Sequence, residues 1–354
     1  MSLSSNVAVA QAVAAGVPPA IQSELPLTEG ELQLEAPLHL HFGGRLDGAR
    51  IAWSLTGPTD APVVIALGGI SAGRTVIGHV GTRKGWWSEI VGPQRALDAS
   101  RWRILGIDYL GGSGQSTGPK PGQTNFPSIS AYDQAEALRR VLEHLGVARV
   151  AAVIGASYGG MVALAFAERF PKLVGRIVVI SAADRSHPMS TAWRSVQRAV
   201  VRYASAHGDA PEGLRLARAL AMATYRSPEE FVARFDGPAV RIDGRFQFPV
   251  ESYLLARGDA YASTYIPEAF VCLSESIDLH KVEPADIRVP TTLVAVREDQ
   301  LVPLADIRSL RDRLAGPTEL VELSSLYGHD AFLKESGALK EIFEQALEAQ
   351  GGVQ

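Results

Sequence analysis

Six short apolar runs punctuate this chain: Val63 to Leu67, Ile104 to Ile107, Val150 to Ile154, Ile177 to Ile180, Thr292 to Val296 and Leu320 to Leu323. Runs of this length, rich in β-branched residues, suit strands covered on both faces. Helix-forming stretches such as Tyr132 to Leu145 and Met161 to Phe170 separate several of them. Such alternation points to a doubly wound, mostly parallel α/β sheet. It stops over residues 184–285, where Trp193, Val196, Val200 and Tyr203 recur at helical spacing and Leu214 to Ala223 forms another helix. A helical insert here is a lid over the strand C-termini, where ligands bind in such sheets. The expected organisation is therefore a loose tail over residues 1–28, a core built from 29–183 and 286–354, and a lid over 184–285. At the start of the core, Leu38, Leu40 and Phe42 alternate with His39 and His41. That predicts a half-buried strand, with a second from Arg50 to Leu55 after the turn at Gly43 and Gly44.

Bulk properties remove several function classes. The chain has 354 residues, enough for one large α/β domain and an insert. Hydrophobic residues make up 46% and charged residues 20%, as in a globular protein. A net charge of −4 gives no reason to expect nucleic acid or an anionic membrane as partner. No apolar run approaches the roughly 20 residues that cross a bilayer. No basic segment leads the first residues and Pro18 and Pro19 interrupt them, so a secretory signal is not expected. Cys272 is the only cysteine and can form no intrachain disulfide, which suits a reducing cytoplasm. It reads as a small buried apolar side chain.

Gly155-Ala156-Ser157-Tyr158-Gly159 fits G-x-S-x-G, a weak pattern alone. Its setting strengthens it, because it directly follows the Val150 to Ile154 run and directly precedes a helix. That is the strand, sharp turn and helix of a nucleophile elbow, the mark of an α/β-hydrolase fold. Flanking glycines let the backbone hold Ser157 above the sheet. The helix, expected to start near Gly160, supplies a positive dipole end and free N–H groups for a developing oxyanion, with Tyr158 as the expected donor beside Ser157. In this fold the order is Ser, acid, His. Of His187, His207, His280 and His329, only His329 follows the last apolar run and precedes a C-terminal helix; the other three are expected at surface or packing positions. Asp299 ends the Thr292 to Val296 run and is the expected acid, with Glu298 its rival. The second oxyanion donor is expected from Gly68-Gly69-Ile70, as Gly69 or Ile70.

Several segments together resemble the homoserine O-acyltransferases of the α/β-hydrolase superfamily. They are Gly159-Gly160-Met161, Gly85-Trp86-Trp87 with Gly92-Pro93, Gly114 to Pro119, Thr224-Tyr225-Arg226-Ser227 with Phe231 and Arg234-Phe235, Val250 to Leu254, and Tyr327 to Phe332. The matches run from about residue 45 to 335. The glycine-rich stretch Gly68 to Gly73 departs from the family's longer form, which leaves the oxyanion donor open. The resemblance implies a ping-pong acyl transfer in which Ser157 takes an acyl group from acyl-CoA and the hydroxyl of homoserine attacks the acyl-enzyme. Acyl-CoA is then a substrate, and no cofactor or metal is expected. By analogy Arg226 pairs with the amino acid's carboxylate and Asp330 with its ammonium group. A homodimer is the family's expected assembly.

Acetyl-transferring relatives usually carry Asn where Arg194 stands. An arginine there can pair with the distal carboxylate of a succinyl group, a partner that acetyl lacks. The bland alternative is a solvated stripe of Arg194, Arg198 and Arg202; Arg74 is a second candidate for the carboxylate. The favoured expectation is succinyl transfer to L-homoserine. Acetyl-CoA as donor, L-serine as acceptor, a plain serine esterase and a non-catalytic binding scaffold are the alternatives. An ester substrate supplies no zwitterion for Arg226 and Asp330, which argues against the esterase.

Overall fold

Each apolar run is a strand of one eight-stranded sheet in this computed structural model, which describes residues 24–79 and 84–348. The strands are β1 (Leu27–Gln33), β2 (Arg50–Thr56), β3 (Val63–Leu67), β4 (Arg103–Ile107), β5 (Val150–Ala156), β6 (Val174–Ile180), β7 (Thr291–Val296) and β8 (Thr318–Leu323). Their spatial order is β1-β2-β4-β3-β5-β6-β7-β8. β1 and β2 are antiparallel to their neighbours, and the strands from β4 to β8 are parallel.

Successive side chains of a strand point to opposite faces, and here both faces are apolar. Ile65, Leu67, Val153, Ile177, Val179 and Leu293 enter one core, against the helices α1 (Ala131–His144) and α2 (Tyr158–Arg169). Val64, Ala66, Ala152, Ile154, Val178 and Val294 enter the other, against Trp87 and the C-terminal helix that carries Leu339, Ile342 and Phe343. This double burial is why the runs show no alternation in sequence.

The region between β6 and β7 holds α3 (Pro188–Ala206), α4 (Ala210–Tyr225), α5 (Pro228–Phe235), α6 (Pro249–Ala262) and α7 (Pro267–Asp278). All five have proline at the first or second position. The missing proline N–H is no loss there, and its preset φ suits a helix start. Val201, Leu214, Ala217 and Phe270 give this insert a small core of its own. Its two ends meet: Arg185 forms an antiparallel bridge with Lys281, and the Val282 N–H donates to the Asp184 carbonyl at 3.0 Å.

Some expectations need correction. Most of the tail expected over 1–28 lies outside the described residues, but Leu27 and Thr28 begin β1 and pair with Thr56 and Leu55. The strand expected through Phe42 is cut to Leu38–His39, paired with Arg45–Leu46. The chain reverses at Leu40, whose carbonyl accepts from the Gly43 N–H at 3.0 Å, with Gly43 and Gly44 at φ 92° and 82°. Phe42 is consequently exposed. The insert also contains a hairpin, Val240–Ile242 with Arg245–Gln247, where only helices were expected.

Candidate active site

Ser157 sits between the last residue of β5 and the first of α2, at φ 55° and ψ −121°. An L-residue rarely holds a positive φ, and one that does is kept there by its surroundings. Here the Ser157 N–H donates to the Ile180 carbonyl at 2.8 Å, and the Gly159 N–H donates to the Gly68 carbonyl at 2.9 Å. The turn closes only because its flanks are glycine. A Cβ on Gly155 would stand 2.1 Å from the Gly159 carbonyl oxygen, and one on Gly159 2.4 Å from the Leu67 carbonyl oxygen.

Three chain segments converge on this turn. His329 Nε2 lies 2.8 Å from Ser157 Oγ, and His329 Nδ1 lies 2.7 Å from Asp299 Oδ2. The other Asp299 oxygen accepts the N–H groups of Leu301 and Val302 at 2.8 and 3.0 Å. The acid's orientation is thus set by the turn after β7, and the imidazole's by the acid. Burial works against protonation of His329, but the charge and hydrogen bond of Asp299, aided by Asp330, outweigh it and hold its pKa above the ordinary value. Arg194 acts in the opposite direction. An imidazole bonded to a hydroxyl on one side and a buried carboxylate on the other can take the hydroxyl's proton. Glu298, the rival acid, points away and accepts from Ser324 Oγ and the Ser325 N–H.

Tyr158 opens α2, so its N–H has no carbonyl one turn earlier in the helix. Of the two residues expected across from it, Ile70 lines the cavity with Ser157 and His329; Gly69 is not among the lining residues. Arg194 lines the same cavity, with Met161, Ser181, Gln197, Thr224 and Tyr225. Its guanidinium is held by Asp278 (Nε to Oδ1, 2.8 Å) and by Ser186 Oγ. Arg198 is buried and bonds Asp278 Oδ2 at 2.6 Å, so the solvated stripe does not form; only Arg202 is exposed. Arg74 lines a neighbouring cleft and is tied to Asp108 and Gln115.

Arg226 and Asp330 are brought together but lie just outside the cavity lining. Arg226 Nε is 3.0 Å from Asp330 Oδ2, and its Nη1 is 3.2 Å from both oxygens of Glu230. Gln300, next to Asp299, donates to the Arg226 carbonyl at 2.8 Å, and Ser227 Oγ donates to the Leu326 carbonyl at 2.8 Å. The α4–α5 junction is thereby pinned to both loops that carry the acid and the histidine. Of the remaining histidines, His207 is exposed. His280 is buried with its pKa pushed down to about 4 by desolvation. His187, expected at a surface or packing position, instead lines the cavity while capping α3. Asp278 and Ser181 were not foreseen; Asp278 stands 84 residues from Arg194, beyond any local pattern.

The sheet order and the bonded serine, histidine and aspartate define a protein of the alpha/beta hydrolase fold, and the sequence profile of that fold family matches residues 62–336. The homoserine O-succinyltransferase of Xanthomonas campestris pv. campestris is 42% identical over 94% of this chain and 88% of its own. The homoserine O-acetyltransferase of Thermus thermophilus is 34% identical over 75% of this chain and 72% of its own. The crystal structure of homoserine O-acetyltransferase from Bacillus anthracis superposes with a TM-score of 0.82 over 92% of this chain and 98% of that one; at 16% identity this speaks to the fold alone. The chain belongs to the homoserine O-acyltransferase family. Among the described residues no group of side chains is arranged to hold a metal ion, and no helix is long and apolar enough to cross a membrane.

Proposed function

We propose that this chain transfers a succinyl group from succinyl-CoA to the hydroxyl of L-homoserine, through an acyl ester on Ser157. His329 Nε2 takes the proton of Ser157 Oγ as that oxygen attacks the thioester carbonyl. Backbone N–H groups of Tyr158 and of Gly69 or Ile70 meet the oxyanion. His329 then returns the proton to the CoA sulfur as the C–S bond breaks. The homoserine hydroxyl gives its proton to His329 and attacks the ester, and Ser157 leaves with that proton. Asp299 holds the neutral imidazole with its proton on Nδ1 and stabilises the imidazolium formed between the transfers. The observation that carries this reading is the bonded trio whose Ser157 and His329 line one cavity with Arg194, which supports a carboxylate-ended acyl group.

The Arg226–Asp330 pair supports a zwitterionic acceptor, because an incoming carboxylate and ammonium can each replace one half of it. Residues 184–285 act as the lid that shields the acyl-enzyme from water. Val240, Ile242, Phe246 and Phe248, exposed on or beside the insert's hairpin, favour a homodimer through that region. The setting is the cytoplasm, with no nucleic acid, membrane or cofactor as partner. Acetyl-CoA as donor is the nearest alternative. L-serine, one methylene shorter, is the nearest alternative acceptor, a difference worth only about 1–3 kcal/mol. The deciding experiment crosses succinyl-CoA and acetyl-CoA with homoserine and serine and follows CoA release. Mass spectrometry with acyl-CoA alone should show an adduct on Ser157 that Ser157→Ala lacks. Preference for acetyl-CoA ends the succinyl reading. CoA release that runs at full rate without an acceptor makes the protein a thioesterase.

A further inference from the structure

The loop after β3 is held from two sides. The Gly68 carbonyl accepts from Tyr109 Oη at 2.8 Å and from the Gly159 N–H at 2.9 Å, both groups of the sheet core. The Gly69 carbonyl accepts from the Ala72 N–H at 2.8 Å. The Ile70 carbonyl accepts from Tyr265 Oη at 2.8 Å, and Tyr265 stands in the insert between α6 and α7. In a planar trans peptide the N–H points away from the C=O. Tying a carbonyl therefore aims the N–H of the next residue. The Gly69 tie orients the Ile70 N–H, and the Tyr265 tie blocks rotation of the following peptide. Ile70 is thus clamped on both flanks, and it is the residue of this loop that lines the cavity with Ser157.

The insert's grip extends beyond one bond. Ser71 Oγ donates to Tyr261 Oη at 3.2 Å, and the Tyr261 and Tyr265 rings stack with centroids 4.7 Å apart. The Ile70 side chain packs against the insert's own core of Val201, Leu214, Ala217 and Phe270. The Ile266 N–H, one residue on, donates to Ser113 Oγ at 2.8 Å, anchoring the tyrosine segment to the loop after β4.

We infer that Tyr265 is a positioning residue that makes the lid complete the oxyanion hole, with the Ile70 N–H as the donor opposite that of Tyr158. The inference rests on Ser157 being the nucleophile and deepens that reading. Half of the hole, Tyr158, belongs to the elbow; the other half, aimed by the Gly69 tie within its own loop, has its second flank fixed only while the insert is docked. Acyl transfer to an amino acid must outrun transfer to water, and a hole assembled together with the closed lid serves that end.

The test is Tyr265→Phe, which deletes one hydroxyl and keeps the ring stack. Both acylation and deacylation pass through an oxyanion, so both half-reactions should slow by the same factor, for either acyl donor and with KM for each substrate unchanged. Losing an oxyanion donor outright costs about 100- to 1000-fold, and loosening one should cost roughly tenfold. Affinity for a phosphonate that mimics the tetrahedral adduct should fall by a similar factor. The melting temperature separates this from general damage, since the variant should melt like the wild type. Unchanged kcat, a loss expressed only in KM, or slowing of one half-reaction alone would each overturn the inference. If the variant does not fold, Ser71→Ala, which frees the loop from Tyr261, should give a smaller loss of the same shape, and no loss there overturns the inference too. Turnover retained by Ser157→Ala is a separate result; it ends the nucleophile reading itself.

Discussion

Replacing Arg194 by glutamine tests whether charge selects the acyl donor. In the structure one carboxylate serves two guanidiniums. Asp278 Oδ1 accepts from Arg194 Nε and Thr191 Oγ1, each at 2.8 Å, while Oδ2 accepts from Arg198 Nη1 at 2.6 Å. Two cations share one anion, and Arg194 is the member that lines the cavity. Its Nη1 has no hydrogen-bond partner among the described residues and is free to bind a carboxylate. A hydrogen bond to a charged group is worth about 1.5–3 kcal/mol, so kcat/KM for succinyl-CoA should drop roughly tenfold to a hundredfold. The same ratio for acetyl-CoA should change by less than about threefold, because acetyl offers that nitrogen nothing. Initial rates of CoA release at subsaturating donor, with homoserine saturating, measure both. An equal fall for both donors would mean that Arg194 holds the insert in place and reads no carboxylate, and an unchanged ratio would refute the charge argument outright.

Other outcomes follow from the same contacts. Asp278→Ala strips the shared anion from buried Arg198 and partly buried Arg194 and should cost about 3 kcal/mol in urea unfolding, whereas Arg194→Gln leaves an Asp278–Arg198 pair and should cost well under half of that; equal losses would contradict the shared-charge account. His329 must be neutral to act as base, and its pKa is held above the ordinary 6.5, so the acidic limb of kcat/KM should lie above pH 6.5. Asp330→Asn removes a charge that raises this pKa and should move the limb to lower pH, while Arg194→Gln should move it higher; limbs that stay put would place the titrating group elsewhere. Gly159→Ala sets a Cβ 2.4 Å from a backbone oxygen that cannot yield cheaply, and should cost about 1–3 kcal/mol in stability and most of the Ser157 adduct, read by melting and mass spectrometry. Arg226→Ala should leave acylation by acyl-CoA alone near normal and slow only transfer to homoserine in single-turnover experiments; equal damage to both steps would remove it from the acceptor site.

The parts of the fold that could be read from sequence were those where one local pattern has one physical cause. The inner strands announced themselves because both their faces are buried, and the elbow because its glycines, its serine and the flanking strand and helix are contiguous. β1 escaped notice because Leu27–Gln33 lies at the sheet edge, half exposed, with no apolar run. Its Gly30 suggests a turn, yet it is there because the Trp53 ring lies where a Cβ would be, 2.6 Å away. The hairpin in the insert carried its own signal, Asp243-Gly244, both at positive φ, but its strands are only three residues long and almost fully exposed, so no buried apolar run marks them. Within the site, Asp278 and Tyr265 act on partners 84 and 195 residues away. No spacing rule reaches that far, because such contacts exist only once the insert has packed.

The meeting of the insert's two ends has its own consequence. Where Asp184 and Val282 are already hydrogen bonded, whatever lies between them closes a loop whose ends are set by the sheet and not by its contents. Length and sequence changes beyond that neck need not disturb the register of β6 with β7. Ser157, Asp299 and His329 all lie on the sheet side of the neck, whereas Arg194, Asp278, Arg226 and Tyr265 lie beyond it. The two pieces nevertheless meet through side chains, Tyr265 at the Ile70 carbonyl and Arg226 at Asp330, so a change in the insert near those contacts reaches the sheet side as well.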